Sequence, residues 1–223
     1  MKARILITAG VVVSLCGFTA AATIANFSAE TANPTNKFAT GTLVLSNTKA
    51  GGSGACLSTA GGSTDTNVNS ACDTLFNLSV KKPGDSGSAN LTVQNVGSLA
   101  ASALKLYSSA CTDADATGES YHGTGSACGG VQLYIQQWTN SNFTGASTCI
   151  YGGGTATTCA FSAAKTLGDF ATNYGSGSPV TIGSGLASGA SGYFTVSVQM
   201  ASSAGNSLQG RSASTDFTWH LDQ

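Results

Sequence analysis

Apolar and polar residues alternate in short runs along most of the chain, and this period of two restricts the fold more than any other feature. Val131, Leu133 and Ile135 define one such run, with glutamine or tyrosine between them. This alternation places every second side chain on the same face of a β-strand. Similar runs occupy residues 38–46, 75–80, 90–96, 102–107, 180–182, 194–200 and 217–221. The sequence therefore predicts a chain built mainly of β-strands.

Turn-forming residues separate these runs. Lys82-Pro83-Gly84-Asp85 has proline at the second and glycine at the third position, which is the pattern of a type II turn. Further breaks fall at 95–98 and 188–192, and the one helical candidate is the short segment 162–170. Short strands separated by turns indicate a jelly roll or β-sandwich. We expect a single all-β domain.

The composition excludes two classes of protein. Charged residues make up 9% of the chain and the formal net charge is −1, so the basic surface that nucleic acid requires is missing. Disordered chains are poor in apolar residues and rich in charge, whereas 41% of this chain is hydrophobic. Such a chain suits an extracellular all-β protein whose surface carries hydroxyl and amide groups.

Residues 1–25 have the pattern of a secretory signal peptide. Lys2 and Arg4 provide a positive start, and an apolar stretch follows that ends in small residues. Two cleavage sites fit this pattern, one after Ala22 and one after Ala25. We therefore expect the protein to be secreted or to lie at the cell surface.

Six of the seven cysteines lie beyond this segment, and an even number behind an export signal favours disulfides. Six cysteines allow 15 connectivities. Each consecutive pair encloses a stretch rich in Gly, Ser, Thr and Ala, which we interpret as a loop without core-forming residues. A zinc site is disfavoured because the chain has no C-x-x-C and only two histidines. The expected disulfides are Cys56–Cys72, Cys111–Cys128 and Cys149–Cys159.

Residues 26–37 are polar apart from Phe27 and several alanines. One interpretation is a flexible segment that leads into the first strand, as chain termini often are. The other is an arm that adds a strand to the exposed sheet edge of a second subunit. Residue composition leaves both interpretations open.

Three stretches, taken in order, resemble one known family. The first starts at Phe27 and ends in the strand-like run Gly41-Thr42-Leu43-Val44-Leu45. The second contains Pro83-Gly84-Asp85 and then Asn95-Val96-Gly97-Ser98-Leu99, and the third consists of the closing runs at 194–198 and 217–219. This order and spacing are similar to those of the TasA/camelysin family. Residues 111–179 and the cysteine loops have no counterpart in the resemblance.

The resemblance implies a secreted jelly-roll subunit of biofilm matrix fibres. It implies that a dedicated signal peptidase cleaves after Ala25, that residues 26–37 form a donor arm, and that residues 38–223 form the jelly roll. The partner is then the protein itself, in a head-to-tail homopolymer joined by donor-strand complementation, with an accessory matrix or anchoring protein as a further partner. The expected interface residues are Asn26, Phe27, Ser28, Ala29, Glu30, Thr31 and Ala32.

Some members of this family are classed as metallopeptidases, and zinc hydrolysis usually needs three protein ligands and a general base. The chain lacks H-E-x-x-H, and His122 and His220 lie far apart in sequence. Asp113, Asp115 and Glu119 offer oxygen ligands for calcium but lack the EF-hand pattern. We predict no catalytic residue, no metal site and no cofactor. The alternatives to a fibre subunit are a camelysin-like secreted metallopeptidase and a monomeric surface adhesin.

Overall fold

The computed structural model describes residues 37, 39–61, 67–77 and 82–223. The chain divides into two units, Met1–Ala39 and Thr40–Gln223, and the secondary structure described below belongs to the second unit. The predicted signal peptide lies outside the described residues, as do residues 26–36 of the predicted arm.

The second unit contains thirteen strands and two short α-helices in its described part. The helices are α1 (Ala127–Gly130) and α2 (Leu167–Asn173). The strands are β1 (Leu45–Lys49), β2 (Ala55–Leu57), β3 (Ser86–Asn95), β4 (Ala103–Ser108), β5 (Thr112–Asp115), β6 (Val131–Trp138), β7 (Ser147–Tyr151), β8 (Gly153–Thr155), β9 (Thr158–Ala160), β10 (Val180–Thr181), β11 (Ser191–Met200), β12 (Arg211–Ser214) and β13 (Phe217–Asp222).

Two antiparallel sheets form a β-sandwich. The larger sheet has six strands in the order β2-β1-β3-β11-β6-β7, and the smaller has three in the order β10-β4-β13. Two-stranded ribbons, β12-β5 and β8-β9, lie outside these sheets. The prediction of an all-β sandwich is confirmed.

The core lies between the inner faces of the two sheets. Leu91 and Phe194 of the larger sheet belong to the same buried cluster as Leu106 and Trp219 of the smaller one. The rings of Phe194 and Trp219 approach to 4.4 Å between centroids. Burying one large apolar side chain contributes about 1.5–3 kcal/mol, so the alternating runs that the sequence shows are also the main source of stability.

Helix α2 closes one end of the core and begins later than the predicted segment 162–170. Thr166 has an extended backbone, and its side chain accepts the backbone N–H of Asp169, which caps the helix at Leu167. Phe170 is fully buried, and Tyr151 packs edge-on against it at 4.9 Å. Burial raises the pKa of Tyr151, and so does its hydrogen bond to the Asp169 carboxylate (2.6 Å).

The prediction of a first strand at 38–46 is wrong in its bounds, because β1 begins at Leu45. The preceding residues instead bond to the turn after β3: Val96 N–H donates to Val44 O (2.9 Å) and Leu99 N–H to Thr42 O (3.0 Å). Gly97 allows this close approach, since a Cβ there would collide with the backbone of residues 42–44.

The strand predicted at 75–80 is absent from its described part, residues 75–77, and residues 78–80 lie outside the described part. Leu75 and Phe76 pack half-buried against the core instead. Hydrogen bonds hold the preceding residues beside β1, since Lys49 Nζ donates to Thr74 O (2.6 Å) and Ser53 N–H to Asp73 (2.7 Å). The predicted turn at 82–85 is confirmed, with Asp85 N–H bonded to Lys82 O (3.0 Å) and Gly84 at φ +88°.

Candidate assembly interface

The predicted assembly requires an uncovered sheet edge, and the described part of the sandwich has four edge strands: β2, β7, β10 and β13. An edge strand presents backbone N–H and C=O groups that can pair with another chain, so proteins usually keep such strands short or covered. Three of the four edges are protected in this way. β2 has three residues and contains Cys56, and β10 has two residues.

The edge at β7 is covered by the ribbon that follows it. Cys149 N–H donates to Ala156 O (2.8 Å), and the Cys149–Cys159 disulfide fastens β9 to β7. The turn of this ribbon therefore occupies the open side of β7 at Cys149, while Cys159 of β9 also lies against β6, with its Sγ 3.2 Å from Ile135 O.

β13 is the longest of the four edge strands and differs from the others. It pairs with β4 from Phe217↔Ser108 to Asp222↔Ala103, and no described strand pairs with its other side. Ser109 N–H donates to Asp216 O (3.0 Å), so Asp216 points its backbone groups towards β4. Since these groups alternate along an antiparallel strand, those of Phe217, Trp219 and Leu221 point to the open side.

One buried polar group on a β13 side chain lacks a hydrogen-bond partner among the described residues. The indole N–H of Trp219 is buried and has no hydrogen-bond partner among the described residues. Phe217 and Leu45, from β13 and from the neighbouring β1, are half-buried against the core. An unpaired buried donor costs about 1–3 kcal/mol, so this indole N–H is a local penalty within the described part of the fold.

The residues predicted to form the other half of the interface, Asn26, Phe27, Ser28, Ala29, Glu30, Thr31 and Ala32, lie outside the described residues. The structure therefore describes β13 and its pairing with β4, and both the arm and its docking at this edge stay predictions.

The six cysteines beyond residue 25 form three disulfides: Cys56–Cys72, Cys111–Cys128 and Cys149–Cys159. This is the pairing that the loop composition predicts. The loops themselves contain more structure than expected, because β8 and β9 lie between Cys149 and Cys159 and β5 follows Cys111. The residues of these strands are mostly polar and show no apolar alternation. The strands are held instead by backbone hydrogen bonds and by the neighbouring disulfides.

Two of the three carboxylates considered as calcium ligands already have partners within the protein. Asp113 accepts hydrogen bonds from Ser126 Oγ (2.7 Å) and Cys128 N–H (2.9 Å), and Asp115 pairs with Arg211. Burial opposes ionisation of Asp113, but the hydrogen bonds outweigh it and lower its pKa. No group of three or more metal-ligating side chains occurs in the described part of the chain.

The two histidines occupy separate places. His122 Nδ1 lies 2.7 Å from Gly210 O, and His220 is exposed on β13 with Nε2 2.9 Å from Asp222. Asp222 also pairs with Lys105, whose hydrogen bond lowers the pKa of this carboxyl. Lys105, His220 and Asp222 line a shallow surface cavity of about 180 Å³ with Tyr107, Ser176 and Pro179. Its charged groups pair with one another and form a surface ion cluster. The sequence did not predict this cluster, because its members come from different strands.

Across the described segments, no helix is both long enough and apolar enough to cross a bilayer. Comparison of the chain with models of known protein families and with curated proteins finds no match.

Proposed function

We propose that this protein is the structural subunit of an extracellular fibre, in which the arm of one copy adds a strand to β13 of the next. The observation that carries the proposal is the side of β13 with which no described strand pairs. The three disulfides suit an oxidising compartment outside the cell.

The lengths of the arm and of the edge match. A strand rises about 3.3 Å per residue, so residues 26–32 extended would span the six residues of β13. Pro34 lacks a backbone N–H and would end the ladder soon after the arm. The backbone would supply affinity, and Phe27 would pack beside Phe217 at the open side of the core.

Such a contact is heterologous, because the arm and the edge are different surfaces of the subunit. Head-to-tail contacts that do not close into a ring produce open filaments. An edge strand that is an aggregation hazard in a monomer would thus determine the direction of growth here.

Deleting residues 26–36 from the secreted protein tests this proposal. We expect filaments of the mature protein in electron micrographs and a folded monomer after the deletion. The melting temperature of the truncated protein checks that the sandwich is intact, and the substitution Tyr121→Ala in an exposed loop is the control that should leave filaments unchanged. Filaments that form equally well without the arm would contradict the proposal.

A synthetic peptide of residues 26–36 provides a second measurement. It should bind the truncated protein and stop the growth of filaments by the full mature chain, whereas the same peptide with Phe27→Ser should bind more weakly. A mature protein that stays monomeric at high concentration with its arm intact would favour the surface-adhesin alternative. Casein hydrolysis that a chelator abolishes would favour the metallopeptidase.

A further inference from the structure

The outer face of the six-stranded sheet has a composition that the fibre proposal does not use. This outer sheet face consists of alternate residues 88–94 of β3, 193–199 of β11 and 132–138 of β6. The pairings Tyr193↔Trp138 and Thr195↔Asn90 place these residues on one surface, opposite the core residues. All its side chains are hydroxyl, amide or aromatic, and none is charged.

Hydrogen bonds along the sheet hold this surface in one arrangement. The indole N–H of Trp138 donates to Thr195 Oγ1 (2.8 Å), which in turn donates to Asn90 Oδ1 (2.7 Å). Ser88 and Ser197 share a hydrogen bond of 2.7 Å. The orientation of the Trp138 ring is therefore defined before any ligand arrives.

Two glutamines at the ends of the face present hydrogen-bond acceptors. The Nε2 of Gln94 donates to Gly189 O and that of Gln199 to Gly84 O, both at 3.0 Å. Because both partners are carbonyls, the amide orientation is fixed and Oε1 is left as an acceptor. Neither Oε1 has a hydrogen-bond partner among the described residues.

Aromatic rings form two clusters on the same face. Tyr193 lies opposite Trp138 and packs edge-on against Phe143 at 6.1 Å, while Tyr134 packs against Phe161 at 4.8 Å. Trp138 and Tyr134 are four residues apart on β6, which separates the clusters by about 13 Å along the strand. Thr195 and Asn90 lie between them and are partly exposed, whereas the neighbouring Gln136 is buried and donates to Ser147 Oγ (2.7 Å).

We propose that the outer sheet face binds a neutral polysaccharide. Sugar rings offer C–H faces that stack on aromatic rings, and their hydroxyl groups donate to amide oxygens and accept from Asn90. The distance between the ring clusters suits several consecutive sugars of an extended chain. An anionic polymer would lose the hydration of its charges without gaining a cationic partner on this face. The proposal does not depend on fibre assembly.

Binding can be measured with the full mature chain immobilised on a biosensor surface. The probes are soluble galactomannan, dextran and hydroxyethylcellulose, with alginate as the anionic control. We expect binding of at least one neutral polymer and none of alginate. Trp138→Ala and Tyr193→Ala should weaken that binding about fivefold each, as expected for loss of a stacking ring. Gln199→Ala should weaken it about twofold to threefold, for loss of one hydrogen bond.

Tyr121→Ala, which removes an exposed ring outside the outer sheet face, is the matched control and should bind as the parent does. Melting temperatures show whether each variant is folded, and Gln199→Ala keeps the test decisive if the ring variants unfold. The proposal is overturned if no neutral polymer binds, if alginate binds equally, or if folded ring variants bind unchanged. A ring variant that alters sedimentation and leaves polysaccharide binding unchanged would assign the face to contacts between copies.

Discussion

Replacing Asn95 by aspartate tests the hydrogen bonds that close the end of β3. The Asn95 side chain is fully buried, and its Nδ2 donates to the carbonyls of Leu99 (2.7 Å) and Leu186 (3.0 Å). Its Oδ1 accepts the backbone N–H of Gly97 (3.0 Å). Aspartate has the same shape but, when ionised, no hydrogen to donate. A carboxylate oxygen would then face two carbonyl oxygens.

The expected loss follows from these contacts. Two buried acceptors lose their donor at about 1–3 kcal/mol each, so we expect the free energy of unfolding to fall by about 3–5 kcal/mol at pH 7. For a domain of this size, 1 kcal/mol corresponds to about 2–4 °C, which gives a melting temperature lower by roughly 6–20 °C.

The loss should also depend on pH, with a defined sign. Burial beside two carbonyls raises the pKa of the new carboxyl in the folded state above its unfolded value of about 3.9. Protonation therefore favours the folded variant, so the deficit is smallest near pH 4 and grows as the pH rises through the folded pKa.

Urea unfolding followed by circular dichroism at pH 7 and pH 4 measures both effects. Asn206→Asp makes the same chemical change at an exposed position and should shift stability by less than about 0.5 kcal/mol. A deficit for Asn95→Asp below about 1 kcal/mol at pH 7 would refute the reasoning, since buried donors are expected to cost more than that. An equal deficit at both pH values would refute the assignment to a buried carboxylate.

Three further changes test other parts of the fold. Cys111→Ser combined with Cys128→Ser opens a loop of 17 residues and should cost about 3 kcal/mol in urea unfolding; no loss would show that loop entropy is irrelevant here. Asp113→Asn should reduce the loss of stability on acidification. The folded pKa of this carboxyl is lowered, so the carboxylate stabilises the fold above its unfolded pKa and that stabilisation is lost as the pH falls. An unchanged pH profile of stability would contradict this. Tyr151→Phe removes the hydroxyl that donates to Asp169 and should cost about 1–3 kcal/mol in thermal unfolding, whereas an unchanged melting temperature would show that the bond is dispensable.

Strands whose side chains alternate against the core were predictable from the sequence. The runs at 90–96, 131–136 and 194–200 correspond to β3, β6 and β11, because burial of one face requires the same period that the pattern shows. The turn at Pro83-Gly84 was also predictable, because the turn requires a positive φ that glycine adopts readily and few other residues do.

Elements held by other interactions were not predictable. β5 and β12 are polar strands that pair Asp115 with Arg211 across the ribbon, and neither has an apolar alternation to detect. The shift of β1 to Leu45 depends on Gly97 and the turn after β3, which is remote in sequence. The position of β13 at the end of its sheet, with no described strand on its second side, is likewise a property of sheet order, which no local pattern contains.

The three cross-links are all short-range, joining cysteines 10–17 residues apart, and none connects the two sheets. Each therefore closes a small ring of backbone. A protease that cuts the backbone inside one of these rings releases no fragment, because both cut ends remain attached through sulfur. Digested material should migrate as an intact chain on a gel without reductant and separate into pieces once thiol is added.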